Sequence, residues 1–320
     1  MNNIDTTVVS SRVRLARNLA GYPFPGALKS AEQGKKIVNE VFSAAAQLRA
    51  FRLYSMNVIS ENVARSLCDD HLISAELAAN KQCGAALIDE EAEPDEPHGK
   101  FSIMINEEDH LREQYIVDGL NLPFAYRKIS EVDDELSKEL RFAFDAQLGY
   151  LTACPTNLGT GMRASAMLFL PGLTRTKKMN SLIRQISCFG HTVRGVYGEG
   201  SVAEGYLYQI SNEVTLGVDE SYILSEVQRA VLSVVNLEAR RRLYRDQGRV
   251  LPRVRGLIQL CQRIVCGIYQ ADLRCQARGG TRFSGNGAFR LAGRTCGSVA
   301  PRQYFSAGGF AALLLGTRHL

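Results

Sequence analysis

A chain of 320 residues with 45% hydrophobic and 22% charged residues has ordinary globular composition, enough for one large domain or two smaller ones, which excludes disorder, a collagen repeat or a coiled coil as a description of the whole. The formal net charge of +5 points at first to an acidic partner such as nucleic acid or an anionic membrane surface. Its location removes that inference: residues 1–246 hold 27 Lys and Arg against 32 Asp and Glu, a net −5, whereas residues 247–320 hold 11 Arg and a single acid, Asp272, a net +10.

In chain order, Ser30 and Gln33 form a capping-box pattern ahead of Ile37, Val41, Ala45 and Leu48 at helical spacing. Residues 53–59 and the alternating residues 101–105 read as strands, the second preceded by an acid- and Pro-rich loop at residues 90–99. Ser130 opens a helix carrying Leu136, Leu140, Phe144 and Leu148 that stops at Gly149. Strands are expected at residues 151–153, 164–170, 192–197 and 206–210. Met179, Leu182, Ile183 and Ile186 mark one helix, and Ile223, Val227, Val231 and Val234 another that runs into a basic end at Arg240. No regular βαβ repeat emerges, so the fold class expected is α+β, a mainly antiparallel sheet flanked by helices.

Residues 247–320 differ in kind, with 12 Gly, no Lys and no sustained amphipathic period. One reading is an Arg/Gly-rich nucleic-acid arm acting by phosphate neutralisation. The other, which the composition favours, is the product of a reading-frame shift in a GC-rich gene. The division expected is therefore a domain over residues 1–246 and an atypical, poorly structured tail over 247–320 that is not a native domain. The start of the chain has no signal peptide and Cys68, Cys83, Cys154 and Cys188 make no Cys-x-x-Cys pair, which fits reduced thiols and a cytoplasmic location. The apolar run at residues 310–315 is far short of the ~20 residues of a membrane-spanning helix, so no membrane partner is expected.

Two glycine clusters, Gly159-Thr160-Gly161 and Gly198-Glu199-Gly200, fit neither a Walker loop nor a dinucleotide fingerprint. A polyphosphate would have to be held by side chains, and arginine suits that task because its planar fork grips phosphate oxygens in pairs. Arg12 and Arg14, Arg163 and Arg194 all sit among small residues that let an anion approach. A weak surface salt bridge is the bland alternative for each. Carboxylates gather in Asn106-Glu107-Glu108-Asp109-His110-Leu111-Arg112, which alone also reads as a helix start with Asn106 as N-cap and Glu108 paired to Arg112. Glu199 stands between glycines and Cys154 precedes Pro155.

Five of these segments, in this order, resemble the signatures of the phosphagen (guanidino) kinases: Ser10-Ser11-Arg12-Val13-Arg14-Leu15-Ala16-Arg17-Asn18, Asn106 to His110, Cys154-Pro155-Thr156-Asn157-Leu158-Gly159-Thr160-Gly161, Arg163-Ala164-Ser165, and Arg194 with Gly195-Val196-Tyr197-Gly198-Glu199-Gly200-Ser201. The last is similar to the bacterial branch that phosphorylates arginine side chains in proteins, as is the lack of a small helical domain ahead of the first motif. The resemblance covers residues 7–246. It implies a phosphagen-kinase catalytic fold, with ATP contacted by Ser10, Ser11, Arg12, Val13, Arg14, His71, Arg112, Arg163, Ala164, Ser165, Ala166, Met167, Arg194, Gly195, Val196, Tyr197, Gly198 and Glu199. Glu108 and Glu199 would hold the acceptor guanidinium, with Cys154 beside it. Mg²⁺ would be held through the phosphates, with no protein ligand. Arginine-bearing proteins would be the substrates, an activator protein and a bacterial unfoldase–protease stress system the partners, and protein quality control the setting. Nucleic acid remains a minor reading confined to the tail. The alternatives are a kinase of free arginine and a non-catalytic truncated remnant. Two departures stand out: Val202 replaces the usual acid, with Glu204 two places on, and nothing after Gln247 resembles the family's helical C-terminal domain.

Overall fold

Alternation along β1 (Val8–Arg17) decides the architecture. Val13, Leu15 and Arg17 point to one face of the strand and Ser10, Arg12 and Arg14 to the other, because successive side chains in an extended chain oppose each other. The computed structural model describes residues 3–89, 97, 99–195 and 204–243, and two short strands beyond them. Residues Met1–Gly248 form one unit and Arg249–Leu320 another.

In the first unit, α1 (Asn3–Thr7) leads into β1, followed by α2 (Ala31–Ala45), β2 (Phe51–Ser55), α3 (Glu61–Asp69), α4 (Ala75–Ala79), β3 (Ala85–Asp89), β4 (Gly99–Ile105), β5 (Leu111–Asp118) and α5 (Leu122–Glu139). Then come β6 (Phe144–Asp145), β7 (Gly149–Tyr150), β8 (Met162–Phe169), α6 (Pro171–Arg175), α7 (Met179–Ser187), β9 (His191–Gly195), β10 (Leu207–Asn212) and α8 (Glu220–Leu243). Eight strands make one sheet in the order β2-β3-β4-β5-β1-β8-β10-β9, with every neighbouring pair antiparallel. The fold is thus α+β with an antiparallel sheet flanked by helices. In the second unit the described residues are β11 (Arg290–Leu291) and β12 (Arg294–Thr295), paired antiparallel.

One face of the sheet carries the main core. Val13 and Leu15, with Ile103, Ala164 and Leu168 of neighbouring strands, pack with Ile37 and Val41 of α2, Ile129 and Leu136 of α5, and Val227 and Val231 of α8. Burial of each of these Val, Leu and Ile side chains contributes roughly 1.5–3 kcal/mol. Among the described residues, the apolar cover of the opposite face lies at its β2–β4 end, where Met104, Ala86 and Tyr54 meet Leu72, Ile73 and Leu77 of the α3–α4 region. Ser30, Ser60 and Ser74 cap α2, α3 and α4 by accepting from the amides of Gln33, Val63 and Leu77.

Several expectations need correction. The helix predicted from Ser130 to Gly149 is instead α5, which starts eight residues earlier with Pro123 in its first turn and ends at Glu139. Phe144 and Leu148, spaced as if helical, are exposed on the β6–β7 hairpin. The strand predicted at residues 53–59 runs from Phe51 to Ser55, and residues 151–153 are not a strand. Asn106 does not cap a helix: residues 106–110 turn β4 into β5. The sequence expectations include no strand at β1, β3, β5, β6 or β7; β3 shows no alternation because it is buried on both faces. The strand predicted at 192–197 is described as His191–Gly195, and residues 196 and 197 lie outside the described residues. Among the described residues no helix is long and apolar enough to cross a membrane.

Arg17, on the core side of β1, is ion-paired to Asp133 of α5 at 2.8 Å, both nearly inaccessible, and donates to the Thr160 carbonyl while stacking on Tyr150. Glu113 lies beside this pair, fully buried; burial, and then the charge of Asp133, push its carboxyl well above the usual range against the pull of Arg17. Arg17→Met strands Asp133 and is expected to cost about 3–5 kcal/mol, measured by urea unfolding; an unchanged midpoint contradicts this role.

Candidate active site

The uncovered part of the second face, over β5, β1, β8, β10 and β9, is lined by arginine. Cross-strand register places Arg14 opposite Arg163 and Arg12 opposite Ser165, Arg112 opposite Ala16, and Arg194 opposite Gln209. Because antiparallel partners point the same way, Ser10, Arg12, Arg14, Arg112, Arg163, Ser165, Met167 and Arg194 share this face. Side chains of Ser11, Val13, Ala164 and Ala166 point to the other: Ser11 donates to the Gly119 carbonyl, and the other three join the main core. Gly195 pairs with core-facing Tyr208. Val196, Tyr197, Gly198 and Glu199 lie outside the described residues.

The electrostatics of the face are one-sided. Burial, then Arg112 and Arg163, push the Arg12 guanidinium down to about 10. Arg14 is held well below the usual guanidinium value by burial and then by Arg12, Arg112 and Arg163. Arg163 is lowered by burial and Arg194, with Cys154 pulling it back. Arg12 donates to Gln209 at 3.0 Å, while the Nε groups of Arg14 and Arg163 are buried without a partner. Since the charged forms are penalised in the folded state, the cost is carried in full at every pH below the lowered values. His71 stands at the rim with φ of +59°; desolvation and the charge of Arg12 lower its pKa, and its carbonyl accepts from Gln114 of β5. The arrangement suits an anion with several charges.

Beside the arginines lies the β4–β5 turn, fixed from below. Asn106, at φ +59°, donates to the carbonyls of Gly34 and Cys83. Buried Asp109 accepts from Asn18 at 2.6 Å and from the Ala153 amide at 2.7 Å. His110 accepts from the Leu19 amide through Nδ1 and donates through Nε2 to the Pro23 carbonyl, so its ring is neutral; burial lowers its pKa. Asp109 thereby ties the segment before Cys154 to the turn bearing Glu108. Cys154 Sγ sits 3.0 Å from the Thr156 hydroxyl. Glu107 and Glu108 both accept from Arg112. The expected Glu108–Arg112 pair exists, across a turn rather than along a helix.

Glu107, Gln209, Asn18 and Asp109 were not among the expected site residues. Gln209 was findable by extending the alternation of β10, whereas the Asn18–Asp109 contact joins residues 91 apart and leaves no local signal. Gly159 and Gly161 serve packing: both have positive φ, and a side chain on Gly161 would meet the Ala16 carbonyl at 2.7 Å. Among the described residues no group of three or more His, Cys, Asp or Glu is placed to hold a metal ion.

The family profile described as "ATP:guanido phosphotransferase, C-terminal catalytic domain" matches residues 33–241. The chain belongs to that family. It is therefore a kinase, a phosphotransferase of guanidino groups. A protein-arginine kinase of Staphylococcus saprophyticus is 46% identical over 240 residues, 74% of this chain and 68% of that protein. One of Clostridium kluyveri is 43% identical over 253 residues, covering 74% and 70%. The substrate-free duplicated taurocyamine kinase of Schistosoma mansoni superposes with a TM-score of 0.61 at 28% identity, over 75% of this chain and 35% of that one. A lombricine kinase at 23% identity and TM-score 0.59 shares the fold.

If the arginine face is held apart by like charges, Arg163→Met removes one cross-strand repulsion of about 0.2–1 kcal/mol. Thermal unfolding is expected to show a midpoint raised by up to about 4 °C, and inorganic tripolyphosphate to stabilise the wild type more than the variant. A lowered midpoint and equal stabilisation contradict the assignment.

Proposed function

We propose that the chain transfers the γ-phosphoryl group of ATP to arginine side chains of proteins, with the catalytic unit in residues 1–246. The observation that carries this is the juxtaposition, on one sheet face, of Arg12, Arg14 and Arg163, which crowd one another's charges, with a turn that presents Glu108. Arg12, Arg14, Arg112, Arg163 and Arg194 hold the phosphates and neutralise charge on the transferring oxygens, and His71 closes the nucleotide end. Ser10, Ser165 and Met167 complete the surface beneath it; Ser11, Val13, Ala164 and Ala166 contribute backbone, as does Gly195. The family pattern adds Val196, Tyr197, Gly198 and Glu199. Mg²⁺, held through the phosphates, adds further neutralisation when bound.

A guanidinium is a poor nucleophile while protonated and delocalised. Glu108, with Glu199 from the family pattern, orients it in the attack line, and one carboxylate accepts the proton as nitrogen attacks phosphorus. An N–P bond forms, the bond from phosphorus to the ADP oxygen breaks, and ADP leaves. Cys154 aligns the guanidinium electrostatically. Holding both substrates in this geometry supplies on the order of 7–11 kcal/mol in favourable cases. The names of the Staphylococcus and Clostridium relatives favour a protein acceptor over free arginine. A cytoplasmic setting, an activator and an unfoldase–protease partner belong to the same reading.

Incubation with ATP, Mg²⁺ and an unfolded protein is expected to yield acid-labile phosphoarginine, at a kcat/KM well above that for free arginine, and Glu108→Gln to lower kcat by 10²-fold or more. No product from folded protein, or full activity in the variant, overturns the reading.

Residues 247–320 are proposed to be a reading-frame product. What supports this is the switch from net −5 to net +10 at Gln247 and the end of the family match at residue 241. Re-sequencing of the gene is expected to reveal an alternative frame encoding an acidic, helical continuation; a clean read without one favours a genuine Arg/Gly-rich tail.

A further inference from the structure

Arg112 faces two ways. Its position on β5 puts its charge within reach of Arg12, Arg14 and Arg163. Its tip, however, is bonded to the acidic turn: Nη1 to Glu107 at 2.6 Å and Nη2 to Oε2 of Glu108 at 2.8 Å. The two carboxylates are unlike. The Glu107 side chain is 5% exposed and is braced by the Ser74 hydroxyl at 2.6 Å, whereas that of Glu108 is 43% exposed. All three residues line a cavity of about 490 Å³ together with Glu76, Asn80 and Asn106.

We propose that Arg112 is an internal competitor for the acceptor guanidinium: it occupies Glu108 until polyphosphate draws Nη2 away, with Glu107 as the pivot that keeps Nη1. This rests on the reading that Glu108 receives the acceptor. A guanidinium binds a carboxylate best as a fork using both oxygens, and here Oε2 is already taken. A second guanidinium brought to the same carboxylate would also meet a like charge at close range. Releasing Nη2 from a half-exposed partner costs little, and a triphosphate on the arginine face offers it a multiply charged alternative. Nη1 can stay on Glu107 throughout, so the buried carboxylate is never left without its cation. Glu107 is in this sense a positioning residue, acting through Arg112. The acceptor site therefore opens when the nucleotide site fills, and by linkage each substrate tightens the other by the same factor.

The test is fluorescence anisotropy of the full chain with a fluorescein-labelled unstructured peptide carrying one arginine, with and without a saturating non-hydrolysable ATP analogue and Mg²⁺. Wild type is expected to bind the peptide about ten-fold more tightly with nucleotide, within the usual range of coupling. Arg112→Met is expected to bind without nucleotide as tightly as wild type does with it, with coupling near one. Glu107→Gln is expected to lower the coupling to less than three-fold while leaving the nucleotide-saturated affinity unchanged, which loss of a merely structural residue would not do. Equal peptide affinity of wild type with and without nucleotide overturns the proposal, whatever the variants show. Glu108→Gln separates the two ideas: loss of peptide binding at saturating nucleotide upholds Glu108 as the acceptor carboxylate even if coupling is absent, and unaltered binding overturns that underlying reading.

Discussion

Two guanidiniums directly opposed across neighbouring antiparallel strands, Arg14 and Arg163, with Arg12 and Arg112 close enough to depress the same charge, set the terms for the rest of this molecule. Like charges in that position repel, and a fold that keeps them must be held together elsewhere. It is held by the opposite face of the same strands, where Val13, Leu15, Ala164 and Leu168 seal against α2, α5 and α8. From Ser10 onward the even positions of β1 carry the arginine face and the odd positions turn to the core side. Arg17, three residues after Arg14, falls on the odd side and becomes structural through Asp133. The same motif thus contains arginines of opposite fate, and strand parity alone separates them.

The acidic turn shows a second division of labour. Asn106, Asp109 and His110 are wholly buried and spend their hydrogen bonds on α2, on Asn18 and on the loop leading to Cys154. Of the turn's carboxylates, Glu107 and Glu108 face the cavity, which Asn106 also lines. Asp109 joins the turn that carries Glu108 to the segment just before Cys154, so one buried carboxylate fixes the relative position of the two side chains proposed to act on the acceptor. Preorganisation of this kind is what makes electrostatic stabilisation effective, because nothing has to reorganise when charge develops.

Much of this was legible in the order of residues. The arginines among small residues, the cluster of acids at residues 107–109 and the Ser30 cap of α2 are local patterns, and local patterns survive in one dimension. The antiparallel α+β class followed from the lack of a βαβ repeat. Illegible parts were those decided at a distance. Phe144 and Leu148 continue the spacing of Leu136 and Leu140, yet Pro123 and the buried stripe from Leu122 to Leu136 set α5 earlier, and the chain beyond it turns back as a hairpin. Glu107 carried no signal of its own, because the Ser74 hydroxyl that braces it lies 33 residues away in sequence.

The proposed activity requires the arginine face to be a cradle for the phosphates of a nucleotide. Calorimetric titration with ATP and with AMP, at low and high ionic strength, tests it most directly. ATP is expected to bind far more tightly than AMP, and to lose that advantage steeply as salt screens the guanidiniums. Equal affinity for the two nucleotides, insensitive to salt, would contradict it.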